Sequence, residues 1–341
     1  MTLSDATTSA NLDAAADASQ EDVVEMTRDE WLEALDEIGE ERGYFEPLGP
    51  DHSAIFTDQG STLLVTFETI DGIMDAEGDG LPMGFDLADA HGWSQLCMLA
   101  HEETWFRAIP VFGHFDRLVD DGFFEDFDRV VFYGAGACGY AAAAFSVAAP
   151  GATVIALQPQ ATLDSAVVEW DTRFPEQRRR FTKPRYSFAP DMIEAANEAF
   201  IAYDPAQSFD AMHASLFTRQ NVTKLRLRHL GGNLEHELRA MGILDQMIEA
   251  AMEGQFSSAL FWKMYRARRN YLPLMRTYLG ELITRHRDRD IIRLSRHVLR
   301  SYNAPRFRKT AEAAQANLAQ KGVEMPLEIE APNAKAKATV D

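Results

Sequence analysis

The sequence predicts an α/β fold, a doubly wound and mostly parallel sheet in three α/β/α layers with a helical appendage behind it. Three observations carry this expectation. Strand-like and helix-like stretches alternate at short spacing between residues 129 and 252. A glycine-rich turn at Gly134 to Gly139 joins an apolar strand pattern to a run of alanines. From Phe256 onward the strand signals stop and only helical periodicity remains. Alternation of this kind places ligands at the carboxyl ends of the strands.

Taken in order, residues 1–26 are rich in Ala, Asp, Ser and Thr with few large apolar groups, the composition of an acidic disordered tail. The segment TRDEWLEALDEIGEERG begins with a capping threonine, Thr27, and Glu30 three residues on; it spaces Trp31, Leu35 and Ile38 at helical intervals, so an acidic amphipathic helix ending near Gly39 or Gly43 is expected. AIFTDQGSTLLVTFET gives two strands around the turn Asp58-Gln59-Gly60. Residues 71–92, dense in Gly and Asp, form a long loop that is either a lid or a site edge. GWSQLCML and the segment from Trp105 to Phe124 add a short strand and a helix.

The regular part then runs strand 129–133, helix 138–148, strand 153–157, helix 191–197, strand 199–203, helix 209–217, strand 222–227 and helix 234–252. Four amphipathic helices follow, broken near Pro273, Asp288 and Pro305. The expected organisation is a tail at 1–26, a main domain at 27–254 that includes the acidic helix, a helical appendage at 255–322 and a disordered tail at 323–341.

With 341 residues and 46% hydrophobic content, the chain can bury a sizeable core. It contains no apolar run long enough to span a bilayer and no leader-like start, so a cytoplasmic protein is expected. Cys97 and Cys138 offer neither a disulfide framework nor metal-ligand spacing; no metal and no cofactor is expected. The net charge of −20 is uneven. Residues 1–60 hold 16 Asp/Glu against 2 Lys/Arg, whereas residues 219–309 hold 19 Lys/Arg against 8 Asp/Glu. The basic helices suit a protein partner or an anionic ligand, without any nucleic-acid motif. Opposite segments can also pair within one chain or between copies, which leaves a homo-oligomer open.

Two motifs with different chemistry fit the turn. As G-x-G-x-x-G, Gly134, Gly136 and Gly139 would bring a pyrophosphate to a helix N-terminus, but the strand TVIAL runs into Gln158-Pro159-Gln160 without the acid that dinucleotide binding requires. As a nucleophile elbow, G-x-S-x-G, the pattern is Gly134, Ala135, Gly136, Ala137, Cys138, with glycine where the serine belongs.

YGAGACGYAAAAFS resembles the YG-x-S-x-GGYAA elbow of α/β-hydrolase-fold proteins, in particular the hydrolase-like branch associated with bacterial capsular and extracellular polysaccharide loci. LLVTFE, the WFR segment at 105–107, ALQPQATLDSAVVEWDTRF and YDP at 203–205 fit the same branch, and the resemblance spans residues 53–250. It implies a nucleophile position at Gly136, an acid at Asp204 and a histidine at His229, with His213 and His236 as alternatives. The favoured reading is thus a hydrolase-like protein without its serine, binding a partner or an anionic ligand. Arg173, able to present a fork to a carboxylate or phosphate, is a further ligand-binding candidate beside Gly134, Ala135, Ala137 and Gly139.

Two enzyme readings stand beside it. Cys138, at a helix N-terminus where a thiol pKa can be lowered, would serve a thiol hydrolase or acyltransferase; alternatively, Asp204 and His229 would activate water directly. A nucleotide-binding oxidoreductase or transferase is the third class.

Overall fold

The computed structural model describes residues 27–74 and 80–325. The expected tails at 1–26 and beyond 325, and the middle of the long loop, lie outside the described residues.

Eight strands form one sheet: β1 (Gly43–Pro47), β2 (His52–Thr57), β3 (Thr62–Thr69), β4 (Ser94–Ala100), β5 (Arg129–Ala135), β6 (Thr153–Leu157), β7 (Glu198–Tyr203) and β8 (Val222–Arg226). Their order across the sheet is β1-β2-β4-β3-β5-β6-β7-β8. The pairs β1/β2 and β2/β4 are antiparallel, and every pair from β4 to β8 is parallel. The sheet is therefore mixed and mostly parallel, as the alternation predicts. The strands flanking Asp58-Gln59-Gly60 do not pair with each other, because β4 is inserted between them.

Alternation along the strands divides the core in two. Leu63, Val65 and Phe67 of β3 join Phe132, Val154 and Ile201 on one face, packed against Phe115, Tyr140 and Phe145. Leu64, Val131, Tyr133 and Ile155 face the other way, into a cluster with Leu234, Met247, Phe261, Leu274, Ile292, Phe307 and Leu318. The C-terminal helices, Ser258–Met264, Leu272–Thr284, Asp288–Leu299 and Pro305–Gln320, thus share a continuous apolar core with the sheet.

The helix Arg28–Arg42 carries the expected capping box between Thr27 and Glu30 and buries Trp31 and Leu35 against Ile55, Phe85 and Leu99. One strand escaped the sequence reading and two expectations need correction. β1 was not legible, since GYFEP is short, ends in proline and lies partly exposed at the sheet edge. The loop at 71–92 holds two helices, Ile70–Met74 and Gly84–His91. The single helix 234–252 is two, Leu234–Ala240 and Leu244–Met252, separated at Gly242, whose φ of 64° is left-handed.

Candidate functional site

β5 delivers the chain into the turn, and the helix Ala137–Phe145 leaves it. Gly136 sits between them at φ 58°, ψ −122°, a combination that side-chain-bearing residues adopt only under strain. Its N–H donates to the Leu157 carbonyl at 2.8 Å, which ties the turn to the end of β6. The three glycines are there for different reasons. A Cβ on Gly134 would lie 2.3 Å from the Cys138 carbonyl oxygen, and one on Gly139 3.0 Å from that of Leu157. A Cβ on Gly136 would meet no heavy atom within 4 Å. The bend thus leaves open space where a side chain at position 136 would stand. Strand order and elbow together decide the architecture. The chain has an α/β-hydrolase-like fold.

The nucleotide reading lacks its partner acid. The turn follows β5, beside β3, where the strand order reverses, but β6 ends at Leu157 and runs into Gln158, without the acid that binds a dinucleotide's ribose.

The residues expected at the acid and histidine positions, Asp204 and His229, have other partners. Asp204 is buried, with one carboxylate oxygen accepting from the Ala206 N–H at 2.8 Å and the other from the Gly231 N–H at 2.9 Å. Its carboxylate shapes the turn after β7 and the loop after β8. His229, at φ 70°, pairs through Nδ1 with Glu281 at 2.6 Å and sets its ring edgewise on Tyr278. His236 is exposed on the helix Leu234–Ala240. The structure does not bring Asp204 and His229 together as a hydrogen-bonded dyad.

His213 is fully buried and belongs to a different network. The Ala161 N–H donates to its Nδ1 at 3.1 Å, which fixes the proton on Nε2, and Nε2 donates to Asp171 at 2.8 Å. Burial holds His213 below the usual histidine range, against the pull of Asp171. Burial pushes the Asp171 carboxyl up, yet hydrogen bonds from Arg173 and His213 bring it net below its ordinary value. Arg173 bonds Asp171 through Nε and Nη2 and reaches Asp210 through Nη1 at 2.6 Å. Asp210 in turn accepts from Gln158, whose carbonyl oxygen receives the Leu234 N–H.

This relay, running from His213 through Asp171, Arg173, Asp210 and Gln158 to the loop after β8, is what sequence reading missed. Asp210 lies in the first turn of the helix Ser208–Leu216, whose N-cap position is Gln207, and its carboxylate faces Arg173. Arg173, an expected anion clasp, spends its fork on carboxylates of its own chain. The signal was present in WDTRF, but nothing local says that Asp171 and Arg173 answer a histidine 42 residues away. Arg107 of the WFR segment performs a similar task for the next loop, donating to the carbonyls of Arg180, Lys183 and Arg185 and to the Tyr140 hydroxyl.

Cys138 lies one turn-step beyond the elbow, beside Glu235 and Glu68. Burial, then those two carboxylates, push its thiol well above the ordinary cysteine value, the reverse of what a helix N-terminus alone suggests. Burial likewise raises the Glu68 carboxyl, and Tyr133 donates its hydroxyl to Glu235 at 2.9 Å. The surroundings of the elbow are acidic. A cavity of about 590 Å³ lined by Pro190, Asp191, Glu194, Leu216, Arg219 and Asn221 lies among segments entering β7 and β8, at the opposite end of the strands, with Arg219 already paired to Asp191 and Glu194. Among the described residues, no group of His, Cys, Asp and Glu has the arrangement of a metal site, and no helix is long and apolar enough to cross a membrane.

No protein-family model matches the sequence, and no curated protein matches it. Among solved structures, the chain is similar to the capsule O-acetyltransferase of Neisseria meningitidis serogroup A, at 11% identity and TM-score 0.39, over 60% of this chain and 94% of that one. It is similar to the glycosylation-associated Gap123 complex from Streptococcus agalactiae, at 14% identity and TM-score 0.40, over 59% of this chain and 44% of that one. A Pyrobaculum calidifontis esterase gives 15% identity and TM-score 0.36, over 67% and 92% of the two chains. Likenesses this distant concern the course of the chain and transfer no chemistry to it.

Proposed function

We propose that this α/β-hydrolase-like protein works by binding rather than by covalent catalysis, with the crevice over Gly136 and the basic C-terminal helices engaging a protein partner or an anionic ligand. One observation carries the reading: the elbow retains its bend and its open side-chain space while residue 136 has no side chain. A serine hydrolase needs the Oγ to form its acyl intermediate, and glycine supplies no substitute. Two further facts support it. Asp204 accepts two backbone amides and His229 pairs with Glu281, and among the described residues no hydrogen bond joins Asp204 to His229. Desolvation of the half-exposed Cys138 thiol, then the charges of Glu235 and Glu68, push it well above the ordinary cysteine value. A link to surface polysaccharide rests on the resemblance of YGAGACGYAA to its hydrolase-like branch.

The test is turnover. Wild-type protein incubated with p-nitrophenyl acetate at micromolar enzyme should release nitrophenol no faster than an equal concentration of a fold-matched inert protein. Saturable hydrolysis above that background, lost in Cys138→Ala or in His229→Ala, would overturn the binding reading in favour of a retained enzyme.

A further inference from the structure

The helix Asp288–Leu299 buries Ile291, Ile292, Ser295, Val298 and Leu299, and its periodicity turns Arg289, Arg293 and His297, followed by Arg300, toward solvent. At 1.5 Å per residue this stripe is about 16 Å long. Beside it runs the 3₁₀ segment Tyr265–Asn270, in which Arg266 and Arg269 are three residues apart and so share a face. His297 Nε2 bonds the Arg269 carbonyl at 2.7 Å, and the Tyr302 hydroxyl bonds that of Asn270, fixing the two segments side by side.

Asp290 takes Arg287 and Arg293. Among the described residues no carboxylate pairs with Arg266, Arg269, Arg289 or Arg300, all of which are exposed. A protein with a net charge of −20 therefore displays one face of uncompensated guanidinium groups.

We propose that the acidic arm at residues 1–26 is the resident occupant of this arginine face, held there electrostatically in the same chain. The arm carries Asp5, Asp13, Asp17, Glu21, Asp22 and Glu25 and no lysine or arginine. Its low apolar content leaves charge as its means of association. It is tethered at Thr27, and a chain of that length reaches up to about 90 Å when extended, enough to span a protein of this size. A tethered segment acts at a millimolar-scale effective concentration, so it excludes dilute external anions until one of higher charge displaces it. The proposal rests on the reading that the basic helices engage an anion, and it names the in-chain competitor for that surface.

The test measures binding of fluorescein-labelled poly-L-glutamate by anisotropy at about 20 mM and about 200 mM salt, on full-length chains throughout; at the higher value screening confines interactions to about 7 Å. One variant converts the six arm acids to Asn or Gln. A second makes the same charge change on the exposed helix acids Asp29, Glu33, Asp36, Glu37, Glu40 and Glu41. A third is Arg266→Gln, Arg269→Gln, Arg289→Gln, Arg300→Gln in the arm-neutral background. The arm-neutral chain should bind about tenfold tighter than wild type at low salt, the helix-neutral control less than threefold, and the arginine variant should lose the gain; the difference should vanish at the higher salt.

Equal gains in the arm and helix variants would mean simple net charge and would overturn the proposal. So would equal affinity of wild type and arm-neutral chains, and if the arginine changes still abolished binding, the anion-engaging reading would survive without the arm. Absence of binding in every variant would remove both.

Discussion

Replacing Gly136 with serine restores the missing oxygen and measures what the turn costs. At φ 58°, ψ −122° a side-chain-bearing residue is strained by about 1–3 kcal/mol. No steric term adds to this, because the new Cβ meets nothing within 4 Å. Stiffening the unfolded chain returns about 0.4–1 kcal/mol, which leaves a net loss between about 0 and about 2.6 kcal/mol, about 1.3 kcal/mol at the middle of both ranges. Gly134→Ala is the internal comparison: its Cβ would fall 2.3 Å from a backbone carbonyl that cannot swing away, so a loss of at least about 3 kcal/mol is expected. Urea unfolding followed by far-ultraviolet circular dichroism should rank wild type, Gly136→Ser and Gly134→Ala in falling order of midpoint at similar slope. A Gly136→Ser midpoint above that of wild type would refute the bent conformation, and one as low as Gly134→Ala would refute the open space.

Further outcomes follow from the networks around the turn. Gly136→Ser should show no ester turnover, because Asp204 and His229 keep their other partners; saturable hydrolysis in that variant would show that a histidine swings into register. Asp171→Ala strands the buried His213 Nε2–H and the Arg173 fork together and should cost about 3–5 kcal/mol in urea unfolding, with Asp171→Asn intermediate. Stability should fall on acidification below about pH 6.5, the unfolded histidine value: burial lowers the folded pKa of His52 to about 4 and also lowers that of His213, so the unfolded chain binds more protons and the contribution present above pH 6.5 is lost as pH drops. His52→Gln should flatten that slope, by up to about 3 kcal/mol between pH 7.5 and 4; an unchanged slope would count against a buried neutral imidazole. Cys138 should react with iodoacetamide at pH 7.5 at least about tenfold more slowly in the native chain than in urea, the opposite of an activated thiol.

The parts of this fold that could be read in the sequence are those where local pattern and global position agree. β6, at Thr153–Leu157, is apolar, flanked by turns and buried on both faces, and its bounds match the reading residue for residue. The capping box at Thr27 and Glu30 is a local device and needs no tertiary context. The elbow was legible for the same reason, since a strand, small residues and a helix lie within 17 consecutive positions. β1 was hidden because an edge strand needs no apolar alternation. The pairing of β2 and β3 with β4 between them was hidden because register is a property of the sheet rather than of any strand. The same limit applied to the site. Asp204 and His229 could be ordered along the chain, but their actual partners, Gly231 and Glu281, come from loops and a distant helix. His213, Asp171 and Asp210 look ordinary one at a time, and their meaning appears only when β6 and β7 bring their loops to one edge.

Peptide-mapping mass spectrometry of the wild-type chain after hours with excess fluorophosphonate and, separately, with an activated acetyl ester asks whether the elbow carries a nucleophile. Neither reagent should leave an adduct on the peptide spanning Gly134 to Tyr140 or on His229, whatever acetylation the exposed lysines undergo. A stoichiometric adduct that maps to that peptide, Cys138 included, or to His229, and that turns over on addition of a nucleophile, would contradict the binding reading.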